Sequence, residues 1–217
     1  FTNAATGNYT KSATGTKDTN AQFNNSGAVS VTAGVLQFNT AGTNSATGTL
    51  TAATGATIRF TNSYTLADAS KLIAIGTGLF ELTGGTLTLP GTLGTPTFNQ
   101  SSGTLAGTNT LASGVTYNWS GGNWNSSGAT TIASGATLNL STTNSHNFDA
   151  RAIVNDGTIN WSGGSFIASQ GATLVNNATF NDSSTGTMGS TGTGGATMTF
   201  TNAATGNYTK SATGTKD

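Results

Sequence analysis

Between residues 114 and 164 the chain reads Gly114-Val-Thr-Tyr-Asn-Trp-Ser-Gly-Gly122, then Gly135-Ala-Thr-Leu-Asn-Leu140, then Gly157-Thr-Ile-Asn-Trp-Ser-Gly-Gly164. Each piece is a glycine, a short run in which every second residue is apolar, and a polar or glycine-rich exit. Alternation with a period of two is the mark of a strand with one face buried. Glycine at the entrance supplies a corner, where positive φ is needed. The same motif opens at Gly34, Gly55, Gly78, Gly94 and Gly195, and Gly55 and Gly195 begin nearly the same octapeptide. From Gly34 to Gly157 the openings follow one another at a spacing of roughly twenty positions, and the wider gap from Gly157 to Gly195 reads as two coils. A compact sandwich could use such strands but would not space them this way. A loose period near twenty predicts a solenoid.

The expected fold is therefore all-β, a parallel β-helix (β-solenoid) of about ten turns of roughly 20 residues per unit. Leu, Ile, Val, Phe and Trp point into a thin core, and Thr, Asn and Ser point out, where β-branched Thr suits the pleat. Gly34, Gly55, Gly78, Gly114, Gly135, Gly157 and Gly195 are the expected corners. Asn24, Asn99 and Asn181, each following a Phe, are the expected members of corner ladders. Helical periodicity is weak everywhere. Its best stretch, Tyr64 to Ile75, predicts a single helical turn before Ile73 and Ile75 return to strand alternation.

A longer repeat lies over the short one. Phe1 to Asp18 reads FTNAATGNYTKSATGTKD, and Phe200 to Asp217 repeats it without a substitution. Divergent halves of one domain would have drifted apart. The identity predicts a tandem array in which residues 1–199 are one solenoid unit and residues 200–217 begin the next. Continuation of the turn-to-turn spacing predicts that the second copy enters in the same register as the first.

Composition narrows the function classes. Charged residues make up 6% of the chain, against roughly 25% in ordinary globular proteins. Lys plus Arg and Asp plus Glu number seven each, so no field draws in nucleic acid. Hydrophobic residues still reach 34%, in phase, which argues against disorder. There is no Cys, hence no thiolate metal site. No run approaches the ~20 apolar residues that cross a bilayer, so no membrane insertion is expected in this segment. Asn-x-Ser/Thr triplets recur, as the abundance of those residues dictates.

Phe98-Asn-Gln-Ser-Ser-Gly-Thr-Leu105, Phe180-Asn-Asp-Ser-Ser-Thr-Gly-Thr-Met188 and Asn155-Asp-Gly-Thr-Ile-Asn-Trp161 resemble the degenerate repeats of large bacterial exoproteins. These are the right-handed β-helical adhesins and surface fibres of the filamentous-haemagglutinin and autotransporter-passenger type. The resemblance implies secretion, an extracellular or cell-surface location, and a long rod serving in coating, adhesion or biofilm matrix. It implies no catalytic residue and no cofactor.

Candidate chemistry is sparse. His146 is the only histidine, between Ser145 and Asp149, and no nucleophile elbow accompanies it. Asp68, Glu81, Asp149, Asp156 and Asp182 are too scattered to pair for sugar cleavage. Gly192-Thr-Gly-Gly-Ala lacks both the Asp of a calcium repeat and the Lys of a phosphate loop. An enzyme is not expected, nor a metal. Trp119, Trp124 and Trp161 are the candidates for stacking a carbohydrate, although the phase of Trp119 with Tyr117, and of Trp161 with Ile159, points them inward as core. Thr86/Thr88, Thr95/Thr97, Thr185/Thr187 and Thr197/Thr199 are the pairs an ice-binding lattice would use, but they do not recur once per turn. The reading is a structural, non-enzymatic subunit of a fibre whose partners are further copies of itself, end to end and side by side. The alternative is a glycan-binding adhesin.

Overall fold

The structure, a computed structural model, describes residues 1–190 and 194–213. It is an all-β parallel solenoid in which the chain visits three faces in turn. The first face holds Thr2–Asn3, Phe23–Asn25, Gly42–Asn44, Tyr64–Leu66, Thr86–Thr88 and Thr104–Ala106, and resumes with His146–Asn147, Phe166–Ile167 and Met188–Gly189. Between the two runs Asn123 alone bridges Thr104 to Asn147. The second face runs from Asn8–Lys11 to Leu72–Ala74, then from Gly91–Leu93 to Thr199–Asn202. The third face is one unbroken sheet of ten strands, from Thr16–Thr19 to Asn207–Lys210.

Every paired strand is parallel and in register with the strand one coil away. On the third face one inward column runs Leu36, Ile58, Phe80, Phe98, Tyr117, Leu138, Ile159 and Phe180. Ten strands give nine steps, and from Lys17 to Tyr208 these average about 21 residues per coil. The shortest step on this face joins Phe80 to Phe98, and the longest joins Phe180 to Tyr208. The expected ten turns of roughly twenty thus become about nine of 21.

The core is a thin stack along the axis. All eight members of that column are buried, and so are their neighbours two residues on, Phe38, Phe60, Leu82, Trp119, Leu140 and Trp161. Rings meet their counterparts one coil away, as Phe38 does Phe60 at 5.6 Å and Phe98 does Tyr117 at 5.0 Å. Such contacts follow from parallel pairing, which sets equivalent side chains one strand spacing apart, about 4.8 Å.

The second face is interrupted between Leu72–Ala74 and Gly91–Leu93. Pro90 has no N–H for a ladder, and its carbonyl accepts instead from Ala69 N–H at 2.6 Å. Ala69–Lys71 forms the expected single turn, of 3-10 type, with Asp68 capping Ser70 N–H. Ile73 and Ile75, read as strand alternation, face outward, 39% and 54% exposed, while Leu72 takes the core position.

The corners need correction in two respects. Gly34, Gly55, Gly114, Gly135 and Gly195 do adopt positive φ. Gly78 and Gly157 do not, and are glycine for lack of room. A Cβ on Gly78 would overlap the Ala52 carbonyl oxygen, and one on Gly157 would crowd the Ala133 and Ala136 carbonyls. The corner asparagines are also other than expected. Asn24 lies mid-strand facing out, accepting from Thr43 Oγ1, and Asn99 and Asn181 are mid-strand as well. The corner ladders are Asn3–Asn25–Asn44, with bonds of 2.8 and 2.6 Å, and Asn155–Asn176–Asn202, with bonds of 2.7 and 2.7 Å, and all of these but Asn202 are buried. Each of these asparagines ends its strand at an inward position and precedes the corner, a pattern visible in Asn44-Ser-Ala-Thr-Gly48 and Asn155-Asp-Gly157.

These ladders are satisfied on both sides. Asn44 also donates to Gly48 O at 2.8 Å, and Asn155 to Thr179 O at 2.8 Å. Asn176→Ala removes the acceptor of one Asn155 N–H and the donor to Asn202, leaving that buried Asn155 N–H unpaired while the other keeps Thr179 O. The expected loss is about 1–3 kcal/mol, read as a lower urea midpoint at unchanged slope; a shift within error would show that the ladder is not a source of stability.

The eighteen-residue repeat is where the sequence reading is overturned. Thr2–Asn3 and Asn8–Lys11 lie on the first and second faces. Their copies lie within Thr199–Asn202 and Asn207–Lys210, on the second and third faces. The second copy therefore enters one face further round, not in the same register. The same displacement explains the wide glycine gap. Gly157 precedes a third-face strand and Gly195 a second-face strand, so the interval holds one coil and two thirds rather than two.

Candidate functional site

The most regular exposed surface is the outward side of the third face. Its central column reads Asp18, Gln37, Arg59, Glu81, Asn99, Asn118, Asn139, Asn160 and Asn181. The charged half is tied end to end. Gln37 donates to Asp18 at 3.0 Å, Arg59 donates to Gln37 at 3.1 Å, and Arg59 Nε meets Glu81 at 2.7 Å. From Asn99 to Asn181 the column becomes an amide ladder, with successive bonds of 2.9, 2.8, 3.0 and 2.9 Å.

Two residues before each of these asparagines stands a threonine, Thr97, Thr116, Thr137, Thr158 and Thr179, also in register. Five consecutive coils thus present a strip of Thr-x-Asn without charge. In the ladder each amide spends one N–H and one oxygen lone pair on its neighbours, and the remaining N–H and lone pair face solvent. Asn99 and Asn181 therefore belong to one surface device, as its two ends. The unbroken Thr-x-Asn recurrence at Thr97, Thr116, Thr137, Thr158 and Thr179 is its signal in the sequence. Of the Thr-x-Thr pairs, Thr86 and Thr88 do face out, but above them lie Thr104 and Ala106, and Thr95 is buried.

Inside the rod, coils five to eight, counted along the third face from Thr16–Thr19, hold a second concentration of chemistry. Trp119 and Trp124 stack at 4.4 Å with planes 6° apart, and His146 meets Trp119 edge-on at 5.1 Å. Gln100 organises the cluster: its Oε1 accepts from Tyr117 Oη and from Trp124 Nε1, both at 2.8 Å. Its amide donates to Gly103 O at 3.1 Å. Arg151 donates twice to Gly107 O and lies 5.8 Å from the centre of the Trp124 ring. Burial pushes the Tyr117 hydroxyl well above its usual range and lowers the Arg151 guanidinium to about 10.

All of these groups are buried, and Trp119, Trp124 and Trp161 are 0% exposed. None offers a ring face to a sugar, so the carbohydrate-stacking role is withdrawn in favour of core. Trp161 instead donates to Gly163 O and Gly164 O at the corner. Ser145 is exposed while His146 points into the core, since neighbours on a strand face opposite sides. Asp149 accepts from Ser169 N–H and Asn147 Nδ2. The three do not converge on a reacting centre. Among the described residues no group of three His, Asp or Glu side chains could hold a metal, and no helix is long and apolar enough to cross a membrane.

His146 does have a measurable consequence. Burial lowers its pKa from 6.5 to about 4, against the opposing pull of backbone groups at Gly163 and Ser141. The unfolded chain takes up a proton near pH 6.5 and the folded one only near 4, so stability falls as pH drops through that window. The expected loss is up to about 3 kcal/mol. His146→Phe should flatten thermal stability between pH 6.5 and 4.5, above the carboxylate range; a persisting slope would assign the effect elsewhere.

No protein-family model, curated protein or solved structure matches this chain.

Proposed function

We propose that the chain is a rod-forming, non-enzymatic segment of an extracellular or cell-surface fibre, built from tandem solenoid units. The observation that carries the reading is the eighteen-residue repeat. Its second copy is laid down as ordinary coil, with Thr199–Asn202 and Asn207–Lys210 paired to the strands before them. On this reading the rod runs on into a further unit with no linker and no change of architecture. Mechanical continuity comes from parallel backbone ladders reinforced by stacked rings and asparagine columns. The neutral, hydroxyl- and amide-rich exterior suits lateral contact with further copies through hydrogen bonds rather than charge. Among the described residues one ion pair, Arg59–Glu81, is present, and a half-buried surface pair of this kind contributes ~1 kcal/mol or less. The resemblance to large exoproteins agrees with this reading and with secretion.

Chains of two, four and six units, each a copy of residues 1–199, test it. Negative-stain images should show unbranched rods that lengthen by about 45 Å per added unit, from a coil rise of ~4.8 Å. Thermal midpoints should barely move between low and high concentrations of NaCl. Globular particles would overturn the fibre reading. Saturable binding to defined sugars on a glycan array would favour the adhesin alternative.

A further inference from the structure

The seam between units carries more than continuity. Nine coils and one face separate the first copy of the repeat from the second. With three faces per coil, the unit of residues 1–199 corresponds to nine and one third coils. That is about 21 residues per coil, the spacing found independently along the third face. The unit is therefore not a whole number of turns.

The buried ladders show why this offset is specified. Asn202 is the copy of Asn3. On the second face it receives the amide of Asn176, which receives that of Asn155. Asn3 in turn begins the ladder to Asn25 and Asn44, with the same polarity, each amide donating toward the C-terminal coil. In a continuing chain Asn155, Asn176, Asn202 and the next copies of Asn25 and Asn44 form one buried column of five. Unrotated, Asn202 would fall on the first face, where the last coil offers Met188–Gly189 and no asparagine below it. The column would be cut, and its amides stranded without partners.

We infer that each unit of the array is turned by one face, one third of a turn, relative to the unit before it. Resting on the fibre reading, the inference fixes which way its surfaces point. The Thr-x-Asn strip and the exposed Ile73 and Ile75 appear once per unit. They pass to the next face at every seam and return to the first after three units, or 28 coils. The rod has no single adhesive side. A neighbouring rod of the same chain meets a strip for about five coils, roughly 24 Å, and then a different surface. Contact in three directions favours bundles over flat ribbons.

The chain has no Cys, so engineered pairs report register cleanly. Asn181 and Thr209 are partners on the third face, and Val175 and Thr201 on the second. Asn181→Cys/Thr209→Cys and Val175→Cys/Thr201→Cys should form intramolecular disulfides under mild oxidation, with at least tenfold less product for Val175→Cys/Thr209→Cys. A six-unit chain carrying Ile75→Cys, labelled with maleimide nanogold, should show labels at three azimuths with a period of about 134 Å, from 28 coils at ~4.8 Å. Cross-linking of 175 to 209, or labels along one side every 45 Å or so (about one unit), would overturn the rotation. Globular particles in which the 181–209 link still forms would overturn the fibre reading and uphold the rotated seam.

Discussion

Trp119→Ala should be the most damaging single truncation in the rod, lowering stability by about 3–5 kcal/mol. The indole is fully buried, stacked on Trp124, edge-on to His146 and 6.3 Å from Phe166. Its Nε1 donates to Gly122 O at 3.1 Å. Removing it opens a cavity, forfeits aromatic pairs that contribute about 0.5–1.5 kcal/mol each beyond their area, and leaves a corner carbonyl without its donor. The coil cannot collapse to fill the gap, because ladders above and below hold its spacing. Urea denaturation measures the loss. Hydrogen exchange locates it, since coils of a solenoid lean only on their neighbours: protection should fall in coils six to eight and hold near Phe38 and Phe60. A uniform loss along the chain, or a cost below about 1 kcal/mol, would show that this cluster is not the anchor we describe.

Gln100→Leu should cost about 2–5 kcal/mol through polarity rather than volume. Gln100 stands in an inward column between Leu82 and Trp119, whose members from Phe38 to Trp161 are otherwise apolar or aromatic. By hydrophobicity alone leucine is the better core residue there. The structure opposes that, because Tyr117 Oη and Trp124 Nε1 both end on the Gln100 oxygen. Each buried donor left without an acceptor costs about 1–3 kcal/mol. Two controls isolate the cause. Tyr117→Phe in the leucine background should recover part of the loss, since one orphaned hydroxyl is gone. Tyr117→Phe alone should cost no more than about 1–2 kcal/mol. If Gln100→Leu stabilises the rod, the polar centre of coils five to seven contributes specificity at a cost, as buried polar groups do in some proteins.

How much of this could be read from the letters divides along a physical line. Alternation is a local property: Leu138-Asn-Leu140 or Ile159-Asn-Trp161 tells which side chains are buried whatever the coil above does. Spacing is nearly local too, because a strand, a corner and a return need a fixed length of chain. Those two signals were enough for the parallel solenoid and for the inward phase of Trp119 and Trp161. Single residues misled where two causes produce one letter. Gly78 and Gly55 look alike, but one makes room for the Ala52 carbonyl and the other adopts φ of 76°. Asn99 and Asn155 look alike too, but one faces water in the strip and the other closes a buried corner.

The seam marks that boundary most sharply. The order of the letters is enough to specify a parallel β-solenoid and to show that Phe1 to Asp18 recurs at Phe200 to Asp217. The face that each copy occupies is set by the fold, which puts Thr201–Asn202 and Asn207–Lys210 one face further round than Thr2–Asn3 and Asn8–Lys11. The physical reason is that a face is defined by the partner strand one coil away, and coils differ in length, the one from Phe80 to Phe98 being far shorter than the one from Phe180 to Tyr208. The lengths of all nine coils together leave the repeat a third of a turn beyond a whole number. No short window of sequence holds that total, whereas the pairing of Asn176 with Asn202 reads it directly.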